Sequence, residues 1–443
     1  MHLPQQQQQQ AVTFLSPEGR YTLVSERTQN GVPYSALRST KLTFATLTSG
    51  NEHVSYLVYN VAEALIISQV HVGGKDAIRT ILLGSSGKAA FPTSHSHLQT
   101  PDGYDLLIGM SSGEVLVGSL RLQLHTGMSN TKLLNAQHYN PEGVIDGSKV
   151  TQVEWSRQSE GQMFVVAHAS GALYLYAKVQ SQPEVDNSVL VGPAPIKTLK
   201  NSPVGNIPVN GGIIHDFSFS PDGTKLATVT GDGVMRVFEF PSGPLITGFK
   251  SYYGGLLCVA WSHDGQYIAT GGEDDHVAVF GLKEQRVVVW GEGHSSWVSA
   301  VAFDPVNSDV SSPSSGQASS GPDCYRIGSV GQDAQVMFWD VIIEDDCTTP
   351  PAAESPASRS SANGHSTAEA RGPGSICPSI PHREMTFMMP VMQNRWHAEP
   401  MSAILFTPGT FTTACHAGQV KSWRRPPRHS TPAAAARQEP SSR

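Results

Sequence analysis

The sequence predicts an all-β chain folded as a seven-bladed β-propeller with disordered insertions, and three observations carry that expectation. A segment with strand-like halves recurs at a period in the low forties, turn residues recur at fixed places inside it, and the composition suits strands and turns. The clearest copies are "IIHDFSFSPDGTKLATVTGDGVMRVF", Ile213 to Phe238, and "GLLCVAWSHDGQYIATGGEDDHVAVF", Gly255 to Phe280. They align without a gap at an offset of 42 residues. Phe219 falls on Trp261, Asp222-Gly223 on Asp264-Gly265, Thr228 on Thr270, Asp232 on Asp274 and Phe238 on Phe280. A third copy starts at "SSWVSAVAFDP", with Phe303 on Trp261. It resumes after an insertion as "YRIGSVGQDAQVMFWD", with Ser329, Asp333 and Trp339 in place.

The repeat makes physical sense piece by piece. "LLCVAWS" and "YIATGG" are short apolar or alternating runs rich in Val, Ile and aromatics, as buried strands are. "SPDG" and "SHDG" between them are turns, where Asp supplies a side-chain hydrogen bond and Gly a positive φ. "GEDD" and "TGDG" form the next turn. His263, Asp264, Glu273, Asp274, Asp275 and His276 could be metal ligands or an acid–base pair if the segment stood alone. Recurrence assigns Asp274 and Asp333 to turn structure instead, and His263 occupies the turn position that Pro221 holds upstream.

With the period in hand, seven candidate blades follow in order. "SYLVYNVAEALIISQV" from Ser55 reads as two strands, and "DLLIGMSSGEVLVGSL" from Asp105 as a hairpin turning at Ser111-Ser112-Gly113. "VTQVEWSRQSEGQMFVVAHASGALYLYAK" from Val150 has three strands with Trp155 and Gly171 in blade positions. The copies at Ile213, Gly255 and His294 come next, and "MSAILFTPGTFTTACHAGQVKSW", Met401 to Trp423, ends the series. The expected organisation is a disordered poly-Gln start over 1–10 and blades one to six over 11–343 with an inserted loop at 306–323. A low-complexity linker over 344–382, a last blade over 383–425 and a disordered tail over 426–443 complete it. The N-terminal "AVTFLSPEGRYTLV" can add a strand to the last blade and so remove the exposed edge of an open sheet.

Composition narrows the function classes. The 443 residues include 42 Gly and 30 Pro, only 15% are charged, and no apolar run approaches the roughly 20 residues of a membrane helix. The start lacks the basic and apolar regions of a secretory signal. Five cysteines, with no CxxC pair, fit neither a zinc site nor a disulfide framework and suit a reducing compartment, cytoplasm or nucleus. A net charge of −7 offers nucleic acid no global attraction. "GMSSG", Gly109 to Gly113, matches a nucleophile elbow, but strands flank it where a helix should follow. "GSSGK", Gly84 to Lys88, has Leu82 where a phosphate loop has its first Gly and Ala89 where it has Ser or Thr. "HSH", His95 to His97, has no further ligands at metal-site spacing. No catalytic residue, metal or cofactor is expected, and a binding scaffold is the class that remains.

In the best-preserved copy His294 joins Ser329, Asp333 and Trp339. This resembles the WD-repeat propellers, in which Gly-His, Ser/Thr, Asp and Trp form a hydrogen-bonded network inside a blade; Thr270 and Asp274 are its counterparts one copy upstream. "SYYGGLLCVAWS", "RIGSVGQD", "YTLVSERTQNGVPYS", "FVVAHASGALYLY" and "TACHAGQVKSW" narrow the likeness further. They resemble the family of the fungal catabolite-repression protein CreC and the animal dystrophia myotonica WD repeat-containing protein, from Ala11 to Arg425. The departures are degenerate first blades, His263 where Pro is usual, and the poly-Gln start. The resemblance implies a partner of ubiquitin-specific proteases that raises or directs their activity, with a further WD-repeat protein as a second partner. A substrate receptor of a cullin-type ubiquitin ligase is the rival reading. Such receptors carry Arg or Lys two residues after the Trp-Asp pair, whereas Val341-Ile342 follow Trp339-Asp340 here. The expected partner-binding residues are Tyr252 and Tyr253 in "SYYGG" and Trp297 in "HSSWV", each just before the first strand of a blade and therefore on one rim.

Overall fold

A computed structural model describes residues 12–28, 39–49, 52–70, 78–84, 90–100, 103–125, 131–178, 201–309, 323–343 and 374–427. Seven antiparallel sheets form the blades. Blade one is Leu42–Ser49, Glu52–Val61, Ala64–Gln69 and Ile78–Leu82; blade two is Pro92–Thr100, Gly103–Met110, Val115–Ser119 and Gln137–Tyr139. Blade three is Val150–Trp155, Met163–His168, Leu173–Ala177 and Gly205–Asn206. Blade four is Ile214–Phe219, Lys225–Thr230, Val234–Glu239 and Leu245–Lys250; blade five is Leu256–Trp261, Tyr267–Gly272, Val277–Gly281 and Arg286–Gly291. Blade six is Val298–Asp309, Asp323–Gly331, Val336–Ile343 and Met392–Asn394. Blade seven is Met401–Phe406, Thr410–Cys415, Val420–Arg424 and Gly19–Arg27, with Thr13–Ser16 outside.

The first strand of each blade touches the first strand of the next, all the way from blade one to blade seven and back. The ring is closed. Its core is distributed: seven hydrophobic clusters each fill the space between two neighbouring blades. Phe249 and Phe280, for example, stack between blades four and five, with Trp290 edge-on to Phe249. No blade owns a core, so each depends on its neighbours, as stacked repeats do. In every blade but the first, the first strand carries a register shift after its first residue, as between Ile214 and Asp216 or Leu256 and Cys258.

The structure redraws the expected boundaries. Residues 383–394 do not open the last blade: Phe387–Met388 pairs parallel to the outer strand of blade five, and Met392–Asn394 is the outer strand of blade six. Ser375–Cys377, assigned to the low-complexity linker, pairs parallel to the outer strand of blade four. The stretch 374–394 is thus a strap along the outer edges of three consecutive blades. The N-terminal segment, expected to add a strand to the last blade although its residues fall within the 11–343 range, adds two: Gly19–Arg27 and, outside it, Thr13–Ser16. Residues 306–309 and Asp323, counted as loop, extend the first two strands of blade six. Residues 1–10, 310–322, 344–373 and 428–443, from the segments expected to be disordered, lie outside the described residues.

Candidate protein-interaction face

Antiparallel pairing brings two kinds of loop to one end of each blade: the loop into the first strand, and the turn between the second and third. Backbone hydrogen bonds tie them together there. Ser251 N donates to Gly233 O at 2.7 Å, Gln332 N to Trp297 O at 2.9 Å, and Ala169 N to Lys149 O at 2.8 Å. Gly233 has φ +77°, and a Cβ on it would sit 2.3 Å from Gly254 O, so only glycine lets this turn lie against the loop into blade five.

The three residues singled out from sequence stand at this end. Tyr252 and Tyr253 are in the loop into blade five and Trp297 in the loop into blade six; their relative exposures are 45%, 73% and 42%. Their backbones are held while their rings reach outward. Ser251 Oγ donates in a bifurcated fashion to the carbonyls of Tyr253 (3.3 Å) and Gly254 (3.0 Å); Asp274 Oδ2 accepts Tyr252 N at 3.3 Å and Glu273 Oε2 accepts Gly255 N at 2.9 Å. Tyr252 is not free-standing: its ring lies edge-on to His276 and near His382 of the strap, at 6.3 and 6.1 Å between centroids. Two further exposed apolar residues, Val144 and Ile213, occupy the loops into blades three and four at the same end. Sequence reading missed both. Ile213 was legible only as the first residue of a repeat copy, and Val144 lies in a stretch without the repeat pattern.

The blade network expected from sequence is complete in blade six. His294 Nδ1 meets Asp333 Oδ2 at 2.9 Å, its Nε2 meets Ser329 Oγ at 2.7 Å, and Trp339 Nε1 donates to Ser329 Oγ at 2.8 Å. Asp333 also accepts Ser295 N (3.0 Å) and Gln335 N (3.1 Å). Burial opposes ionisation of Asp333, but the His294 bond and charge and the two amides outweigh it and hold the carboxyl below its usual range. Blade five departs from the expected network. Among the described residues Asp274 accepts only backbone amides, those of Tyr252 and His276, and the buried Thr270 hydroxyl has no hydrogen-bond partner. The reason is that Phe280 stands where blade six has Trp339 and the loop into blade five, 251–255, carries no histidine, so neither an indole nor an imidazole reaches the hydroxyl. Blade seven keeps a remnant, His397 Nε2 to Thr413 Oγ1 at 3.0 Å, both residues buried.

Two carboxylates approach each other on neighbouring first strands, Glu154 and Asp216, as a catalytic pair in the channel would. Each is already taken by the next blade. Glu154 Oε2 accepts Phe219 N at 3.3 Å, and Asp216 Oδ2 accepts Val259 N at 3.3 Å. They are two rungs of a series that joins every pair of neighbouring blades. Asn60 Nδ2 donates to Pro92 O, Val153 N to Ser94 Oγ, Cys258 Sγ to Val298 O, Ser299 Oγ to Met401 O and Ser402 Oγ to Thr40 O. Burial pushes the Glu154 carboxyl up to about 7, against Arg157 and the Phe219 amide, with Asp216 adding to the rise. Burial also raises Asp216, countered by Lys41 and backbone donors. His95, from the "HSH" stretch, is driven down to about 3 by burial and holds Thr43 Oγ1 and Lys41 O, so it is a satisfied interior histidine. Ser111, the elbow serine of "GMSSG", follows the strand Gly103–Met110 in a turn that leads back into Val115–Ser119.

Residues 195–239 and 243–280 match the family described as WD domain, G-beta repeat. Each segment runs from the outer strand of one blade into the first three strands of the next, so the repeat is offset from the blade by one strand. Among solved structures the chain is similar to one from a crystal structure of a mitotic checkpoint complex. The two share 12% sequence identity with a TM-score of 0.56, over 96% of each chain. That likeness is one of fold.

Proposed function

We propose that the protein is a non-catalytic WD-repeat scaffold that binds a ubiquitin-specific protease and activates or directs it, in the cytoplasm or nucleus, alone or with a further WD-repeat protein. The observation that carries a binding role is the arc of exposed Tyr253 and Trp297 on one face, with backbones pinned and rings outward. A rigidly held aromatic loses little conformational entropy on docking and offers a large apolar surface, which is why Tyr and Trp dominate binding hot spots. The choice of a ubiquitin-specific protease rests on the sequence resemblance of "SYYGGLLCVAWS" and "RIGSVGQD".

The test is calorimetric titration of the intact protein against a panel of ubiquitin-specific protease catalytic domains, paired with hydrolysis of a fluorogenic ubiquitin substrate. At least one protease should bind and turn over substrate faster. Tyr253→Ala and Trp297→Ala should each weaken that binding by about 2 kcal/mol, roughly thirty-fold, with melting unchanged. A panel with no binder sinks the protease assignment; a binder indifferent to both variants places the interface on another face.

A further inference from the structure

The strap reaches the same end of the ring as the aromatic loops, and it does so twice. Parallel pairing fixes its direction: Ser375–Cys377 runs with Thr247–Phe249, toward the loop that carries Tyr252 and Tyr253. Beyond it, His382 lies near Tyr252, 4.5 Å from Phe387 and 6.3 Å from His276 between ring centroids. The second rise pairs Phe387 with Trp290 and Met388 with Gly291, at the end of blade five's outer strand. Trp290 N donates to Thr386 O at 2.8 Å and Glu292 N to Met388 O at 3.1 Å. Pro390 packs where a side chain on Gly293 would go, in the loop that leads to Trp297. Met389 therefore projects at this rim, and at 67% exposure it ranks with Tyr253 among the most exposed large apolar side chains described.

Between Tyr253 and Trp297 lies blade five, and its contribution to this end is acidic. Its turn carries Glu273, Asp274 and Asp275, and Glu292 follows its outer strand. Glu273 and Asp274 are committed to backbone amides of the loop. Asp275 and Glu292 are not, and no Arg or Lys is ion-paired to either among the described residues. An apolar arc broken by unpaired carboxylates asks for a partner that answers both, since a desolvated carboxylate left without a cation opposes binding.

We infer that the strap is the outer wall of the docking face, with Met389 as an anchor beside Trp297, and that its occupant is a polypeptide segment carrying a basic side chain between apolar ones. The choice of this face rests on the reading under Proposed function, but neither the strap nor the partner's charge depends on the partner's being a protease. Methionine suits the role: unbranched and polarisable, it adapts to the shape of an incoming apolar group.

The experiment pans the full-length protein with a phage-displayed random peptide library, then measures labelled synthetic copies of enriched peptides by fluorescence polarisation. Enriched peptides should combine Arg or Lys with aromatic or aliphatic residues and lose affinity as salt rises. Met389→Asp and Tyr253→Ala should each weaken them at least ten-fold, and Asp275→Lys with Glu292→Lys should do the same. Ile342→Asp, at the opposite end of blade six, should change nothing, and all variants should melt like the parent. Acidic or purely polar peptides, no enrichment, or indifference to Met389→Asp would overturn the proposal. The protease panel separates the two readings. A binder that responds to Tyr253→Ala but not to Met389→Asp defeats the strap alone, whereas conforming peptides with no protease binder defeat the protease alone.

Discussion

Replacing Asp333 by Ala should cost far more stability than replacing its counterpart Asp274, though the two occupy the same place in successive repeats. The Asp333 side chain is 4% exposed and the His294 side chain is fully buried. Truncation removes three accepted hydrogen bonds, at 2.9, 3.0 and 3.1 Å, and strands an imidazole that also holds Ser329 and, through it, the Trp339 indole. A bond to a charged group is worth about 1.5–3 kcal/mol, and the two loop amides regain water, so the expected cost is about 2–4 kcal/mol. Among the described residues Asp274 accepts two bonds, both from backbone amides at 3.3 Å, and holds no imidazole, hydroxyl or indole. Its truncation should cost about 1 kcal/mol. Urea denaturation at neutral pH, with slopes compared as well as midpoints, reads the difference. The folded carboxyl of Asp333 lies below its unfolded value, so its contribution is full above about pH 4 and fades as pH falls through the folded value. The gap between parent and Asp333→Ala should close accordingly in acid. Equal costs at the two positions, or a larger one at Asp274, would refute the claim that the blade-six network is a cooperative unit.

Glu154→Gln should stabilise the protein above pH 7 by about 1–3 kcal/mol and leave it unchanged near pH 4. The folded carboxyl titrates near 7, so the penalty of ionising it is absent below the unfolded value and complete only above the folded one. Denaturation at the two pH values checks it, and a pH-independent effect counts against burial as the cause. Arg425→Met should cost about 3–5 kcal/mol, because it strands the fully buried Asp304 carboxylate now held at 2.7 and 2.8 Å; adding Asp304→Asn should recover much of that. Deleting residues 12–27 should abolish cooperative melting and yield aggregates by light scattering, since it removes the outer strands of blade seven together with buried Tyr21 and Phe14. A monomeric, cooperatively melting deletion would show that the ring does not need this closure.

Blades four and five were legible because their strand and turn positions are filled: aromatics at Phe219 and Trp261 and turn residues at Asp222-Gly223 and Asp264-Gly265. Blade one was legible only as two strands, since its first and fourth members, Leu42–Ser49 and Ile78–Leu82, carry no turn signature of the repeat. The placement of Tyr253 and Trp297 at one end followed from strand alternation alone. The strap was not readable, for a physical reason. "SIC", "FM" and "MQN" are too short to show periodicity, and their pairing is set by the unfilled edges of blades four, five and six. Thr270 misled because the residue type was right and its partner absent: with Phe280 in the indole's place, the sequence position persists after the network is gone.

The one-strand offset between repeat and blade explains why the rim is built from sequence-distant pieces. If each repeat begins with the outer strand of the preceding blade, the last blade must borrow its outer strand from the other end of the chain, and Gly19–Arg27 fills that place. An insertion before the seventh repeat postpones the outer strand of blade six in the same way, so Met392–Asn394 arrives only after the strap has crossed blades four and five. Unpaired rim edges invite association with other chains, and the strap covers two of them on its way. The path that covers those edges also carries His382 to Tyr252 and Met389 to the loop of Trp297. Edge protection and the wall of the docking face therefore reside in one segment. A substitution such as Phe387→Ala, which loosens the strap without touching the exposed residues, should accordingly weaken partner binding and raise the protein's tendency to self-associate together.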